Sequence, residues 1–259
     1  MLDSANELKG YVLQSLDGEF GRAKEFLFDD EYWTVRYLVA ETGDWIPDRQ
    51  VLISPYAISG VDRDARHISI DLSKQRILDS PPLSSDEPVS RQYEESFYGY
   101  FQWPMYWGGG NMWGAYPNLR RDHGLSPAPT PEPAIKQWDV HLRSTKDSTG
   151  HHLQARDGEI GHVQDFIVDD ETWAIRYLVI DTRNWWPGKK VLIAPHWIDR
   201  VSWSESKVFV HLDRNLIKEA PAYTTDIPMS RDYETLLHAH YQQPGYWLKE
   251  QLVVARQHV

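Results

Sequence analysis

The chain has 259 residues, 41% of them hydrophobic and 25% charged, with a formal net charge of -11 and no cysteine. That length holds two ordinary domains with cores of their own, and the missing cysteine excludes disulfides, thiolate metal sites and cysteine nucleophiles. The negative balance works against nucleic acid or an anionic membrane surface as partner, since both demand clustered Lys and Arg.

The opening MLDSANELKG lacks the basic and then apolar pattern of a signal peptide, so the cytoplasm is the expected compartment. No window approaches the ~18 continuous apolar residues of a membrane span. Next, YVLQSLDGEFGRAKEFLF sets Asp17-Gly18 between two alternating runs, the signature of a hairpin whose two turn residues take positive φ. DDEYW (Asp29 to Trp33) reads as the connection into a strand TVRYLVAET, with Val35, Tyr37 and Val39 on one face and Arg36 and Leu38 on the other. After a loop with Trp45 and Pro47 comes the strand QVLIS, Gln50 to Ser54. A last strand pair follows near Ile58 to Arg63 and His67 to Leu72. Five or six short strands at this spacing predict a small barrel or curled sheet. Ser73 then caps a short helix KQRIL that stops before Pro81, and Ser90 caps a second, QYEESFYGYF. On that helix Tyr93, Phe97 and Tyr100 form an apolar stripe that must bury itself.

The same series then repeats at an offset of about 140 residues, without a gap over roughly a hundred positions. FLFDDEYWTVRYLVAETGDWIP from Phe26 returns as FIVDDETWAIRYLVIDTRNWWP from Phe166. The tail motifs P.SR.YE and Q.P.YW recur too, and Pro187-Gly188 adds an orthodox turn pair. In the second copy Asp213 and Ser230 are the cap residues, and Tyr233, Leu237 and Tyr241 the stripe. A period this long is a duplicated domain rather than a solenoid. Residues 1–107 form the first copy with its helical tail, 108–137 a linker rich in Gly and Pro, and 138–259 the second copy. GGGNMWGAYPN is the flexible part of that linker and GLSPAPTPEPA the stiff part.

The pattern DGE.G.V.DF..DDE.W.IRYLV.DT..W.PG..VLI.P, written mostly from the second copy, resembles the PRC-barrel family, and the resemblance covers both copies, roughly eighty residues each. The resemblance implies a mainly β protein: two tandem small β-barrels, each with a helical C-terminal extension, packed as a pseudo-two-fold pair. It also implies a module that docks on protein without catalysis of its own, as in the photosynthetic reaction-centre H subunit and a ribosome maturation factor. The membrane helix of the first and the extra β-domain of the second are not seen here, so neither specific role carries over.

The acidic turns Asp29-Asp30-Glu31 and Asp169-Asp170-Glu171 could hold a cation through carboxylates, but they lack the spacing of a calcium loop, and Asp favours turns by itself. Histidines crowd the second copy (His151, His152, His162, His196, His211, His238 and His240) without a zinc spacing, and read as scattered surface residues. Trp33 and Trp173 read as packing, and Arg36 and Arg176 as partners of an acid at the barrel rim. No phosphate-cradling loop or nucleophile elbow is found.

The sharpest candidate is the aromatic run FQWPMYWGGGNMWGAY, Phe101 to Tyr116. It is either an exposed docking patch or glue between the two halves. Its Trp103, Tyr106, Trp107 and Trp113, with Tyr246 and Trp247 of the second copy, are the expected interface residues. The expectation is a non-enzymatic interaction or scaffold module with no catalytic, cofactor or metal residues. It would pair its copies internally and bind an unidentified protein, with a homo-oligomer as an open alternative. The alternatives are a small-ligand or metal-binding sensor, and an accessory of photosynthetic or electron-transfer membranes.

Overall fold

The structure is a computed structural model that describes residues 1–46, 49–84, 88–107, 109–121, 139–182, 189–225 and 229–248. The Pro187-Gly188 turn, the GLSPAPTPEPA stretch and the chain after Leu248 lie outside them. The first copy runs β1 (Leu2–Ser4), α1 (Ala5–Leu8), β2 (Val12–Ser15), β3 (Gly18–Asp29), β4 (Thr34–Glu41), β5 (Arg49–Ile53), β6 (Ile58–Asp62), β7 (His67–Ile70), α2 (Lys74–Leu78), β8 (Leu83–Ser84) and α3 (Arg91–Phe101). The second runs β9 (Leu142–Ser144), α4 (Thr145–Ser148), β10 (His152–Ala155), β11 (Gly158–Asp169), β12 (Ile175–Asp181), β13 (Lys190–Ile193), β14 (Ile198–Ser202), β15 (Lys207–Val210), α5 (Arg214–Glu219) and α6 (Arg231–His240).

These strands make a mainly β protein of two mixed sheets. Eight strands follow the order β6-β7-β2-β3-β4-β5-β8 with β9 on β3, and seven follow β13-β12-β11-β10-β15-β14 with β1 on β11. The β2/β7 and β10/β15 ladders are parallel. Among the described residues no ladder joins the end strands, so the expected closed barrels are open sheets there. Pro55 and Pro195 open the short 3-10 turns after β5 and β13. A proline lacks the N–H that would carry either strand onward into a closing ladder.

The hairpin forms, but its turn is built differently from the expectation. Ser15 pairs with Gly18, so the loop is Leu16-Asp17, and of the turn residues only Gly18 has positive φ, at 128°. Asp17 is left free to accept the Lys74 N–H at 2.8 Å, which caps α2. Ser73 adds a second cap by accepting the Arg76 N–H at 3.3 Å. In the second copy Asp157 accepts the Arg214 N–H at 2.8 Å, while Asp213 makes no side-chain capping bond. The helix start expected of Asp213 is therefore satisfied from the hairpin.

A register slip between Leu13 and Gln14, repeated between Leu153 and Gln154, brings β3 and β11 hard against their neighbours. A Cβ at Gly21 would lie 2.5 Å from the Glu41 carbonyl oxygen, and one at Gly161 2.3 Å from that of Asp181. Only glycine fits either place.

Two compact units divide the chain. The first holds Met1, Asp3–Asp147 and Phe166–Arg176; the second holds Leu2, Ser148–Asp165 and the chain from Tyr177 onward. The stretch of the second copy that carries DDETW is thus part of the first unit. In the first unit β4 buries both faces, from Thr34 to Ala40, and therefore sits inside the core. The Gly-rich half of the expected linker is folded there as well. Trp113 and Tyr116 bridge, Asn111 and Gly114 bridge, and Trp113 is fully buried.

Ser90 and Ser230 cap α3 and α6 as expected, each accepting the N–H three residues on at 3.2 Å. The buried stripe is turned from the predicted one. It consists of Glu94, Phe97, Tyr98 and Phe101, with Tyr100 exposed. In α6 it is Glu234, Leu237 and His238, followed by Tyr241, so Leu237 and Tyr241 are buried as predicted while Tyr233 is half-buried. A glutamate faces inward in both helices because buried hydroxyls await it.

Candidate functional site

Asp29 ends β3 with both carboxylate oxygens engaged. Its Oδ1 accepts the N–H groups of Glu31 (3.1 Å) and Tyr32 (2.6 Å), and its Oδ2 accepts the Arg36 Nε–H at 2.5 Å and pairs with Nη2. Arg36 is not at a rim: its side chain is 0% exposed. The guanidinium lies 4.1 Å from the Tyr106 ring centroid and 4.7 Å from that of Trp113, so the aromatic run roofs a buried ion pair. The Trp113 Nε1–H donates to the Thr172 carbonyl at 3.1 Å.

The second acidic turn repeats the arrangement within the same unit. Asp169 Oδ2 accepts from Arg176 Nη2 at 2.7 Å and Thr172 Oγ1 at 2.9 Å, and Oδ1 accepts the Glu171 N–H at 3.1 Å. Burial pushes this carboxyl up, but Arg176 and the donors together hold it below the usual carboxylate range. The following acids also face cations. Asp30 meets His141 Nδ1 and Arg143 Nε, each at 2.8 Å; Asp170 meets Arg63 Nη2 at 2.6 Å and the terminal ammonium of Met1. The hydrogen bond to Asp30 raises the His141 imidazole above its ordinary value. Among the described residues no group of three or more His, Asp or Glu is arranged to hold a metal ion.

Between the acidic turns sits a reciprocal contact. The Val35 N–H donates to the Trp173 carbonyl at 2.8 Å, and the Ile175 N–H donates to the Trp33 carbonyl at 2.7 Å. Thr34 and Ala174 complete an antiparallel bridge. Each residue thus meets the counterpart of its own partner, the pattern of an isologous contact. Trp33 and Trp173 take φ of 51° and 60°, a left-handed conformation unusual for bulky side chains. Rings fill the space around them: Phe28 lies 5.5 Å from both Trp33 and Phe166, and Phe26 lies 6.3 Å from Trp173.

The second recurring constellation escaped the sequence reading. In the first unit the Tyr37 hydroxyl of β4 donates to Glu94 Oε1 at 2.8 Å, and the Tyr106 hydroxyl approaches the same oxygen at 2.5 Å. Tyr106 also reaches Asp139 Oδ2 at 2.9 Å. Arg91 spans both acids, with Nη1 2.9 Å from Glu94 Oε2 and Nη2 3.0 Å from Asp139 Oδ2. In the second unit Tyr177 and Tyr246 donate to Glu234 Oε1 at 2.8 and 3.0 Å, and Arg231 Nη1 lies 2.9 Å from Oε2. There His238 takes the place of Tyr98, with Nε2 3.0 Å from the Tyr177 hydroxyl and Nδ1 3.1 Å from the Pro244 carbonyl. It is a buried histidine, not the surface residue expected. The signal was present in both YE pairs and both YW pairs at one offset, but a glutamate on a capped helix reads as solvent-facing.

Of the expected interface residues, Trp103, Tyr106 and Trp113 are buried within the first unit. Trp107 is half-buried, its ring 5.4 Å from Tyr98 and beneath Arg91 at 4.4 Å. Tyr246 and Trp247 are half-buried in the second unit, where Arg231 lies 4.3 Å from the Trp247 ring. Concavities open on the first unit among the described residues. One, of about 310 Å³, has Glu25, Asp139, Arg143 and Lys146 in its wall. Another, of about 630 Å³, is floored by Phe20 and Trp45 and edged by Arg22, Lys74, Glu19 and Glu41. No described helix is long and apolar enough to cross a membrane. No protein-family model matches the chain, and no curated protein is significantly similar to it.

Proposed function

We propose that the chain is a non-enzymatic protein-interaction or scaffold module of PRC-barrel type, its two copies paired about an approximate two-fold axis. The observation that carries this reading is the reciprocal Trp33/Trp173 contact in the first unit. Around it recurring acids, arginines and tyrosines pair with one another, Arg36 with Asp29, Arg176 with Asp169 and Tyr37 with Glu94, although Arg36 Nη1 and Nη2 find no hydrogen-bond partner among the described residues. Groups committed in this way hold a shape and are not free to attack a substrate. A stable shape with solvated outer faces is what a docking module needs.

The test is co-purification with full-length protein as bait, followed by size-exclusion chromatography. A partner that stays at fixed stoichiometry, with cross-links mapping to exposed strands, is the expected result. A reproducible turnover with no such partner overturns the proposal. A second reading, a small-ligand sensor, is favoured by the groove of about 630 Å³ over Phe20 and Trp45. A thermal-shift panel of amphipathic metabolites on wild type and Trp45→Ala decides it: a shift lost in the variant supports the sensor, and no shift in either removes it.

A further inference from the structure

The contacts of Tyr106 do not balance if both neighbouring acids are ionised. Its one hydroxyl hydrogen lies within reach of two carboxylate oxygens, Glu94 Oε1 at 2.5 Å and Asp139 Oδ2 at 2.9 Å. With two carboxylates, one of these contacts sets a lone pair against a negative oxygen in a buried place. The Glu94 side chain is 0% exposed and that of Asp139 1%. Charge points the same way, because among the described residues Arg91 is the one cation paired with both acids, while Arg36 faces the Tyr106 ring and is paired with Asp29.

We propose that Glu94 and Asp139 hold a single proton between them through the Tyr106 hydroxyl, and that this proton latches the chain entering β9 onto the first unit. The proton sits on Glu94 and donates to the Tyr106 oxygen. Tyr106 then donates to Asp139, which Arg91 neutralises, and Tyr37 donates to Glu94. Every contact becomes donor to acceptor, and the cluster becomes neutral. Asp139 is the movable member. It lies in the wall of the concavity of about 310 Å³, so the proton has a short route to solvent. Its own N–H donates to the Val89 carbonyl at 3.3 Å, and its Oδ1 accepts the His141 N–H at 3.0 Å, which ties the latch to the segment that follows.

The surroundings agree. Burial pushes the Glu94 carboxyl up, Arg91 draws it down and Asp139 raises it again, leaving it at about 8. Burial, reinforced by the charge of Glu94, lifts the Tyr37 and Tyr106 hydroxyls well above their ordinary value, so both remain donors. Tyr93 and Tyr98 of α3 also feel the Glu94 charge, and burial keeps both protonated. Loss of the proton leaves two like charges in apolar surroundings, and the acid at the pocket wall is the one that can leave.

The experiment uses the full chain with 13C-labelled carboxyl groups, followed by NMR across pH, with hydrogen exchange of amides 139–141 corrected for intrinsic rate. One carboxyl of the pair is expected to stay protonated at neutral pH and to titrate near the raised value. Corrected exchange should rise by up to about tenfold per pH unit as pH climbs from the ordinary carboxylate range toward that value, and level off beyond it. Glu94→Gln, an uncharged carboxamide mimic, should abolish that rise. Two ionised carboxylates at pH 6 in the wild type would sink the proposal whether or not the variant folds. A folded Glu94→Gln protein that keeps the rise would sink the latch.

Discussion

The two buried glutamates are the most instructive pair in the molecule. Both accept from two tyrosines and face an arginine three residues back on the helix. Around Glu94 the remaining neighbour is a second carboxylate, Asp139; around Glu234 it is an imidazole, His238, reached through Tyr177. What recurs builds the helix-to-sheet joint, and what differs sets how each joint responds to protons. A duplication keeps the first and frees the second.

The largest expected effect separates the two acidic turns. Asp29→Ala strands a fully buried Arg36 guanidinium, and should cost about 3–5 kcal/mol in denaturant unfolding. Asp169→Ala leaves Arg176 with the Thr172 hydroxyl at 3.1 Å and a 7% exposed side chain, and should cost about 1–3 kcal/mol. Equal losses would mean that the copies carry equivalent ion pairs despite their different burial. The glycines give the next contrast. Gly161→Ala meets a carbonyl at 2.3 Å and must also hold a φ of 144°, while Gly21→Ala meets one at 2.5 Å without that φ. The strain is about 1–3 kcal/mol, and the thermal midpoint should fall further for Gly161→Ala. The reverse order would show that β11 yields where β3 does not.

Opposite pH responses sharpen the comparison further. Glu94 is raised in the folded state, from 4.5 to about 8, so the folded protein binds more protons between those values. Its contribution is complete below 4.5 and is lost as pH rises toward about 8. His238 is lowered from 6.5, chiefly by burial, with Arg231 acting in the same direction and the Pro244 carbonyl opposing. The unfolded chain then takes up the extra proton, so this contribution is present above 6.5 and is lost as pH falls through the depressed folded value. His238→Tyr, which installs the residue of the first copy, should remove the part of the acid limb that begins at 6.5, leave the part carried by lowered carboxylates such as Asp169, and leave the alkaline limb in place. An unchanged acid limb would show that another group carries it.

How much of this could be read beforehand depended on range. Local signals served well: Ser90 and Ser230 cap their helices, and strands β4 to β7 fall within a residue or two of their alternation patterns. Signals set by distant partners did not. Glu94 turns inward because Tyr37, 57 residues away, presents a hydroxyl there, so the apolar stripe rotates by one position. Arg36 is buried because Tyr106 and Trp113 arrive from beyond the helix. Trp33 and Trp173 hold left-handed backbones that no residue preference announces; each is fixed by a bond to the other copy's turn. The repeat located all these residues, but equal residue types at equal spacing say nothing of which face they take.

The smallest effect tests whether the two hairpins cap their helices equally. Asp17 and Asp157 accept equivalent N–H bonds, and those donors hold both carboxyls below the ordinary value. The helices differ in what else they have. At α2 the Ser73 hydroxyl accepts the Arg76 N–H, so an exposed donor is still met when Asp17 is lost. At α5 Asp213 makes no capping bond, and the Arg214 N–H depends on Asp157. Alanine at Asp157 should therefore lower the thermal midpoint more than alanine at Asp17, and fray α5 in hydrogen exchange while α2 keeps its protection. If Asp17→Ala frays its helix as much, the serine is a bystander and the hairpin aspartate is the cap in both copies.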